Sequence, residues 1–417
     1  MPTAAYYTLG CKVNQYETEK IRQEMQSHGI STVSFSSSAD VYIINSCTVT
    51  GVADSKSRHA VRQAVRRNPD AYVVATGCYA QLEPNELACI EGVDLVVPND
   101  EKDDIVPRVM ARFPDLRDSA AFPSRPRLRT RAILKVQDGC DQFCAYCAVP
   151  FARTGKRNRS FDEVLAEARA LADYGHKEIV LTGIRLGSYG DDGRDIADLA
   201  QAIAGVDGIA RVRLSSIEVW EISERLLDVM ANDERVCRHL HVPLQSGDDD
   251  ILGAMNRPYD TRRFRDVVGS ARSRMPELAI TTDVLVGFPG ETDEQLEHTR
   301  SFVESIGFAR LHVFKFSPRP RTKAASLGDQ VPAPVKDQRS HALRDVGNAL
   351  AQRFAEKYVG RTVSVLAEGR VSASGQLKGF TGNYIEAQFI APASAAGSIV
   401  RLGVSSAQEG RLHGKVL

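Results

Sequence analysis

The 417-residue chain contains no apolar run of about eighteen residues, so no membrane-spanning helix is expected. It has no basic start: Met1 to Leu9 is too short to serve as a secretory leader, and none is expected. Net charge is absent as well. The 53 Lys and Arg balance 53 Asp and Glu, so overall charge announces no polyanionic partner. Cysteine is scarce, with eight in the whole chain, which excludes a secreted disulfide framework and makes a reducing cytoplasm the natural setting. No repeat of solenoid type is evident.

What is there has size and local bias. Hydrophobic residues make up 43% of the chain, enough to bury large cores, and the length suits two or three domains. Between Arg108 and Ser160 twelve Lys/Arg face only four Asp/Glu. A solvated linker explains part of that excess, and Phe113–Arg131, with Pro114, Pro123 and Pro126, reads as one. A basic strip also suits a polyanionic substrate.

The pattern is α/β. Ala5–Leu9, Val41–Asn45, Tyr72–Thr76 and Leu95–Val97 read as parallel strands, with helices over Glu17–His28, Ser55–Arg67 and Glu83–Ile90. This first parallel α/β domain is placed at 1–125. A second domain, 126–354, repeats strand and helix six times. Its strands are Ile133–Val136, Glu178–Leu181, Val212–Ser215, His239–Val242, Thr281–Val286 and Leu311–Phe316. Its helices include Phe161–Tyr174, Ile196–Ile203, Glu224–Ala231, Thr261–Arg274 and Asp293–Ile306. That predicts a partial (β/α)6 barrel, whose sites lie at the C-terminal strand ends. The tail, 355–417, reads as a small all-β barrel with strands Val363–Ala367, Gly369–Ser374, Tyr384–Phe389 and Ile399–Val404 and a turn at Gly379–Asn383. It carries seven Lys/Arg against four Glu.

The strongest local signal is Gly139-Cys140-Asp141-Gln142-Phe143-Cys144-Ala145-Tyr146-Cys147. Four thiolates complete the shell of a cubane iron–sulfur cluster, so three leave one iron open. An open iron can chelate the amino and carboxylate groups of S-adenosylmethionine. A zinc site or buried thiols are the alternatives. Zinc usually wants a second Cys or His pair, and no such pair lies nearby. The spacing, with Tyr146 before the third cysteine, resembles the signature of radical S-adenosylmethionine enzymes.

A second set is dispersed. Cys11, Cys47 and Cys78 each follow a strand in a separate βα unit, after Leu9-Gly10, Asn45-Ser46 and Thr76-Gly77. Loops after the strand ends of an open parallel sheet meet at one edge, so the three are expected to converge on a metal centre. Gly10 and Gly77 allow tight turns there. Ordinary buried thiols are the alternative. Cys89 and Cys237 are read as packing residues, Asp283 as a buried strand carboxylate, and His239 and His241 as packing or network histidines. Gly287-Phe288-Pro289-Gly290-Glu291 reads as a tight strand-to-helix turn.

Together these features resemble the methylthiotransferase family over essentially the whole chain. Thr8-Leu9-Gly10-Cys11-Lys12-Val13-Asn14-Gln15, Asn45-Ser46-Cys47-Thr48-Val49 and Thr76-Gly77-Cys78-Tyr79-Ala80-Gln81 are similar to its amino-terminal motifs. Cys140, Cys144 and Cys147 match its radical motif, and the tail resembles a TRAM domain. Three branches are familiar. Two act on tRNA bearing N6-isopentenyladenosine or N6-threonylcarbamoyladenosine, and one acts on an aspartate of a ribosomal protein. Gln137–Cys144 and Leu214-Ser215-Ser216-Ile217-Glu218 look most like the threonylcarbamoyladenosine branch. Two departures stand out: Ala152-Arg153-Thr154-Gly155-Lys156-Arg157-Asn158-Arg159, and Arg321 where Gly is usual after Ser317-Pro318-Arg319-Pro320.

The resemblance implies methylthiolation at C2 of the adenine at position 37, an unactivated C–H that calls for a radical. It implies two [4Fe-4S] clusters, on Cys140, Cys144 and Cys147 and on Cys11, Cys47 and Cys78, with S-adenosylmethionine used twice. It further implies tRNA binding by the tail, an electron donor such as flavodoxin or ferredoxin, and a sulfur source. For S-adenosylmethionine the candidate contacts are Tyr146, Thr182 and Gly183 at the second barrel strand, Ser216 and Glu218 on one face of the next, and Gln245. A non-catalytic iron–sulfur RNA-binding or electron-transfer protein is the rival reading. Pure carriers usually have four cysteine ligands, which argues against it.

Overall fold

The computed structural model describes residues 1–114, 129–370 and 376–417. Much of the expected linker, and the end of the expected strand Gly369–Ser374, lie outside the described residues. The chain forms two compact units. The first gathers Met1–Arg127, Asp138–Lys156 and Ser317–Ala325; the second gathers Leu128–Gln137, Arg157–Phe316 and Ser326–Leu417.

The first unit is built on a five-stranded parallel sheet of order β2-β1-β3-β4-β5. Its strands are β1 (Thr3–Thr8), β2 (Ser31–Val33), β3 (Val41–Ser46), β4 (Tyr72–Gly77) and β5 (Leu95–Val97). Alternation along β3 explains its two cores. Val41 and Ile43 pack with Ile21 and Met25 of helix Lys12–Ser27 and with Ile105 and Val109. Tyr42 and Ile44 pack on the other side with Ala60, Val61 and Ala64 of helix Gly51–Arg67. A strand covered on both faces reads as a continuous apolar run, as β3 does over Val41–Ile44 before the buried polar residues Asn45 and Ser46. The expected helix Glu83–Ile90 is shorter, Pro84–Ala88, and a separate helix, Cys78–Leu82, ends just before it, because Pro84 can start a helix but not continue one.

The second unit holds six parallel strands in two triplets: β6 (Ala132–Lys135), β7 (Glu178–Thr182) and β8 (Arg211–Leu214), then β9 (His239–His241), β10 (Ala279–Val286) and β11 (Arg310–Lys315). Single parallel bridges Val212–Val236 and Ser216–His241 connect the triplets. This is the partial (β/α)6 barrel. The turn after β10 is as expected. Gly287 and Gly290 take φ +73° and +80°, and buried Glu291 accepts from the Gly287 N–H at 2.7 Å.

Helix Ala333–Glu356 leads into a closed five-stranded barrel of order β12-β13-β14-β16-β15. Its strands are β12 (Thr362–Arg370), β13 (Gln376–Thr381), β14 (Glu386–Ile390), β15 (Ile399–Gln408) and β16 (Arg411–Val416). β13 occupies much of the stretch expected as a turn, and β16 was not anticipated. The barrel docks on the N-terminal ends of the arc strands. Arg211 donates to the carbonyls of Phe380 (2.9 Å) and Ser364 (2.7 Å), and Arg213 to those of Gly382 (2.9 Å) and Thr381 (3.1 Å). Glu178, fully buried, holds the Arg213 guanidinium at 2.7 Å. Among the described residues, no helix is long and apolar enough to cross a membrane.

Candidate active site: two sets of three cysteines

All six candidate cysteines fall in the first compact unit. Cys11 is the N-cap of helix Lys12–Ser27, Cys47 follows β3, and Cys78 opens helix Cys78–Leu82 directly after β4. Asn14 ties the first two loops, donating through Nδ2 to the carbonyls of Leu9 (2.8 Å) and Ser46 (2.9 Å). Asn99 Nδ2 donates to Cys78 Sγ at 3.8 Å and to the Ala152 carbonyl at 2.7 Å. Both expected glycines are required. Gly10 has φ +99°, and a Cβ there would meet Cys47 Sγ at 3.0 Å; Gly77 has φ +100°, and a Cβ would lie 2.3 Å from the Ser46 carbonyl oxygen.

The thiols feel one another. Burial first, and neighbouring Cys78 and Cys11 in lesser measure, raise the Cys47 thiol to about 11. Cys11 keeps an exposed face; the protein crowded around it raises its thiol pKa, and Arg153 opposes the rise.

The second set lies on a pinned loop. Gly139 has φ +74°, and a Cβ there would fall 1.6 Å from the Gly155 carbonyl oxygen. The Cys140 N–H donates to the Arg153 carbonyl (3.4 Å), the Cys147 N–H to that of Cys144 (3.0 Å), and the Gln142 N–H to Cys140 Sγ (3.4 Å). Ala324, on the segment Ser317–Ala325, donates to the Ala145 carbonyl at 2.7 Å. Cys144 is buried, Cys140, Cys147 and Tyr146 are half-buried, and Phe143 is exposed.

Besides Asn99, a buried arginine joins the two cysteine-bearing regions. Arg153 is 1% exposed. It donates to Glu17 at 2.8 Å from each of two nitrogens, to Asp138 at 2.9 and 3.0 Å, and to Asn14 Oδ1 at 2.7 Å, and its Nε has no hydrogen-bond partner. Burial works against its charge, but Glu17, Cys78 and Asp138 outweigh it and hold the pKa well above the ordinary arginine value. Lys102 also pairs with Glu17. Residue pattern alone missed this cluster; the available signal was Asn14 and Glu17 three apart on one helical face just after Cys11. Arg319, likewise buried, donates to Thr48 Oγ1 at 2.9 Å and pairs with Asp54 beside the Cys47 loop. Arg321 adopts φ +71°, the conformation that makes Gly usual there, and donates to the Leu82 carbonyl at 3.2 Å.

The other candidate contacts lie in the second unit at strand ends. Thr182 ends β7, buried, its carbonyl accepting from Val136. Gly183 lets Gln137 approach, since a Cβ would meet Gln137 Oε1 at 2.8 Å. Ser216 is exposed. The expected shared strand face for Ser216 and Glu218 is corrected: β8 stops at Leu214, and Glu218 precedes a 3-10 turn, Val219–Glu221, paired with Arg257. Gln245 follows β9 with φ +66° and a half-buried side chain, its backbone locked by Asp283 and Leu285. Asp283 is half-buried rather than buried, 3.2 Å from His241 Nε2. Cys237 is buried as expected, but Cys89 is exposed and so is no packing residue.

Among the described residues, no three His, Cys, Asp or Glu side chains close on a single metal ion. A cubane is a wider template, because each of its thiolates binds a different iron. The donor chemistry fits such a group. Each set offers sulfur alone, glycines clear the space at Cys11 and Cys78, and a buried guanidinium supplies positive charge beside the first set.

Residues 134–303 match the model of the Radical SAM superfamily, and residues 3–98 match the Uncharacterized protein family UPF0004. A solved structure of the radical S-adenosylmethionine methyltransferase TsrM from Kitasatospora setae superposes with a TM-score of 0.60 at 14% identity, covering 78% of this chain and 77% of that one. These matches mark residues 134–303 as a Radical SAM domain and show a fold shared with that enzyme. The threonylcarbamoyladenosine tRNA methylthiotransferase MtaB of Bacillus subtilis is 39% identical over 98% of this chain and 94% of its own length. The protein of that name from Thermotoga maritima is 38% identical over 100% and 99%. A tRNA-2-methylthio-N(6)-dimethylallyladenosine synthase of Staphylococcus aureus is 31% identical over 98% and 84%. The chain belongs to the methylthiotransferase family of radical S-adenosylmethionine enzymes, in its MtaB-type branch. Membership implies S-adenosylmethionine and a [4Fe-4S] cluster.

Proposed function

We propose that this protein methylthiolates C2 of N6-threonylcarbamoyladenosine at position 37 of tRNA. The observation that carries the reading is the gathering of Cys11, Cys47 and Cys78 at three strand ends, in the same compact unit as the Cys140–Cys147 loop. Two clusters are inferred: Cys140, Cys144 and Cys147 would hold the radical-forming one, and Cys11, Cys47 and Cys78 an auxiliary one. When bound, the first cluster and S-adenosylmethionine supply a carbon radical able to take an unactivated hydrogen, which no protein acid–base pair removes at neutral pH. The chain's own part is placement. Gly139 and Gly155 pin the radical loop, Asn14 and Asn99 hold the other loops, and Arg153 sets positive charge between them. Thr182, Gly183, Ser216 and Gln245 sit at the strand ends where a barrel presents polar groups to a ligand; Glu218 is committed to Arg257.

The module 1–125 would carry the auxiliary cluster, 126–354 the radical chemistry and 355–417 tRNA affinity, in a cytoplasmic setting with a flavodoxin- or ferredoxin-like reductant and a sulfur source. Higher identity to the MtaB proteins than to the dimethylallyladenosine synthase favours the threonylcarbamoyl substrate.

The test uses anaerobically reconstituted enzyme. Wild type should hold about eight irons, and the Cys140→Ala, Cys144→Ala, Cys147→Ala variant about four, from four irons per cluster. The Cys11→Ala, Cys47→Ala, Cys78→Ala variant should still form 5′-deoxyadenosine but no methylthio product on threonylcarbamoyladenosine tRNA. Product from that variant, or a deletion strain whose tRNA keeps its full complement of the methylthio nucleoside, would overturn the assignment.

A further inference from the structure

The concave side of the arc carries a polar ladder that the cluster chemistry does not use. Along β11, Leu311 and Val313 turn toward helix Ala333–Glu356: a Cβ on Gly347 of that helix would meet Leu311 Cβ at 3.0 Å. Arg310, His312 and Phe314 therefore face the opposite way, and all three are exposed. The His312 ring stands edge-on to His241, centroids 5.7 Å apart. His241 is fixed in turn. Its Nδ1 lies 2.9 Å from Thr281 Oγ1 and its Nε2 3.2 Å from Asp283, while His239 Nε2 reaches the same Thr281 hydroxyl at 3.1 Å. Barrel interiors are normally filled with apolar side chains, so a column of His, Thr, Asp, His and Arg there is out of place as packing. A groove of about 470 Å³ wraps the exposed edge of β11: Arg310, His312 and Phe314 line it on the ladder side, Leu311, Val313 and Gly347 on the helix side, and Tyr384 where it reaches the small barrel. Acids in the groove are already engaged: Glu386 and Glu409 pair with Arg411. Arg310 has no ion pair among the described residues.

We propose that Phe314, Asp283, His312 and Arg310 form the subsite for the N6 substituent of the target adenosine, with Arg310 taking its carboxylate. This rests on the threonylcarbamoyl reading above. That substituent carries N–H and O–H donors as well as a carboxylate, whereas an isopentenyl group carries neither. Its dimensions match the ladder. Four bonds of ordinary length put the carboxyl carbon about 5–6 Å from N6. His312 lies two residues below Phe314, about 6.7 Å along the strand. Arg310 lies two residues lower still, and its long side chain reaches back toward the His312 level. With the base stacked on Phe314, the donors meet Asp283 and the carboxylate meets His312 and the guanidinium fork, the geometry that suits arginine best.

The experiment measures binding of full-length reconstituted enzyme to anticodon stem-loops bearing threonylcarbamoyladenosine, its threonine methyl ester, or plain adenosine. Wild type should prefer the free acid over the ester by about tenfold or more, as expected for a charge-assisted bidentate contact. Arg310→Gln and His312→Gln should bring that ratio to near one, while iron content, melting temperature and affinity for the plain stem-loop stay put. Arg310→Lys, which keeps the charge but not the fork, should fall between. A wild type indifferent to the ester, or an Arg310→Gln protein that keeps the preference, overturns the subsite. A wild type that methylthiolates isopentenyladenosine RNA and not threonylcarbamoyladenosine RNA overturns the underlying reading instead, and the subsite with it.

Discussion

Two buried ionic networks, one in each compact unit, use the same chemistry for different ends. In the first unit Arg153 is enclosed by Glu17, Asp138 and Asn14, with Lys102 behind Glu17. In the second, Glu178 is enclosed by Arg213 and Arg211, whose remaining N–H groups donate to main-chain carbonyls of the small barrel. Burial raises the Glu178 carboxyl, but Arg213 and its companions outweigh that and hold it below the usual carboxylate range. Position separates the two. The Glu178 network stands at the N-terminal ends of the arc strands, beside the buried thiol of Cys237, and its product is the docking of a domain. The Arg153 network stands behind loops that leave the C-terminal ends of parallel strands, where the cysteines are, and its product is the relative placement of two donor sets. Buried charge is thus no marker of function by itself; the strand end it occupies is.

The largest expected effects break the networks one at a time. Glu178→Gln leaves two guanidiniums buried against weakened partners and should cost about 3–5 kcal/mol. Thermal melting should fall and residues 355–417 should become protease-sensitive, with iron per folded chain unchanged. Arg153→Met strands Glu17 and Asp138 and should cost a similar amount, but here the iron content of reconstituted protein should drop. Iron loss in the first variant, or its retention in the second, would erase the distinction drawn between the networks.

Glycines sharpen the comparison at lower energy. Gly139→Ala would drive a Cβ to 1.6 Å from the Gly155 carbonyl oxygen, and Gly77→Ala to 2.3 Å from that of Ser46. Each lies directly before a cysteine, so each should deplete the cluster nearest it. Gly155 also has positive φ (+68°), yet nothing lies within 4 Å of a Cβ there. Gly155→Ala should cost only about 1–2 kcal/mol and leave iron content near wild type. Equal iron loss in all three, read by iron assay and absorbance, would mean that backbone conformation rather than crowding sets the loop.

Much of this was legible in residue order. Strands of the arc fall within a residue or two of expectation because each is a short apolar run closed by a polar or glycine residue, and the cysteines mark their own loops. What was hidden depends on long-range contact. Arg153 reads as one charge in a basic stretch, since its partners Asn14 and Glu17 lie more than a hundred residues away. β13 reads as a turn because of Gly379, whose missing side chain actually lets β12 approach: a Cβ there would sit 2.3 Å from the Leu366 carbonyl oxygen. Helix Ala333–Glu356 buries a narrow stripe, Leu343, Gly347, Leu350 and Phe354, that Gly347 and the buried Arg339 and Ser340 dilute.

A smaller effect separates docking from affinity. Cutting the chain after Gly360 removes the closed barrel while sparing helix Ala333–Glu356. Arg211 and Arg213 then face water in place of the carbonyls they now hold. Affinity for tRNA should fall, and the slope of log K against log salt should flatten by about one unit for each phosphate the barrel had neutralised. Iron content should persist. An unchanged salt slope would assign the phosphate binding to the arc instead.

The smallest effect comes from an ion pair outside both networks. His298 Nδ1 lies 2.8 Å from Asp248, with the imidazole more than half exposed. Asp248 is itself the N-cap of helix Asp249–Ala254, accepting from the Ile251 N–H at 3.1 Å. The hydrogen bond to Asp248 raises the His298 pKa above its ordinary value. The folded state therefore binds this proton more tightly than the unfolded chain, whose histidine titrates near 6.5. The stabilisation is fully present below that value and is lost as pH rises through the raised folded pKa. Melting temperatures of wild type and His298→Gln should differ more at pH 5.5 than at pH 8, and by less than for any variant above, because an exposed pair is screened by water and salt. A gap that widened toward pH 8 would show that Asp248 acts on its helix alone and that the imidazole contributes nothing as a cation.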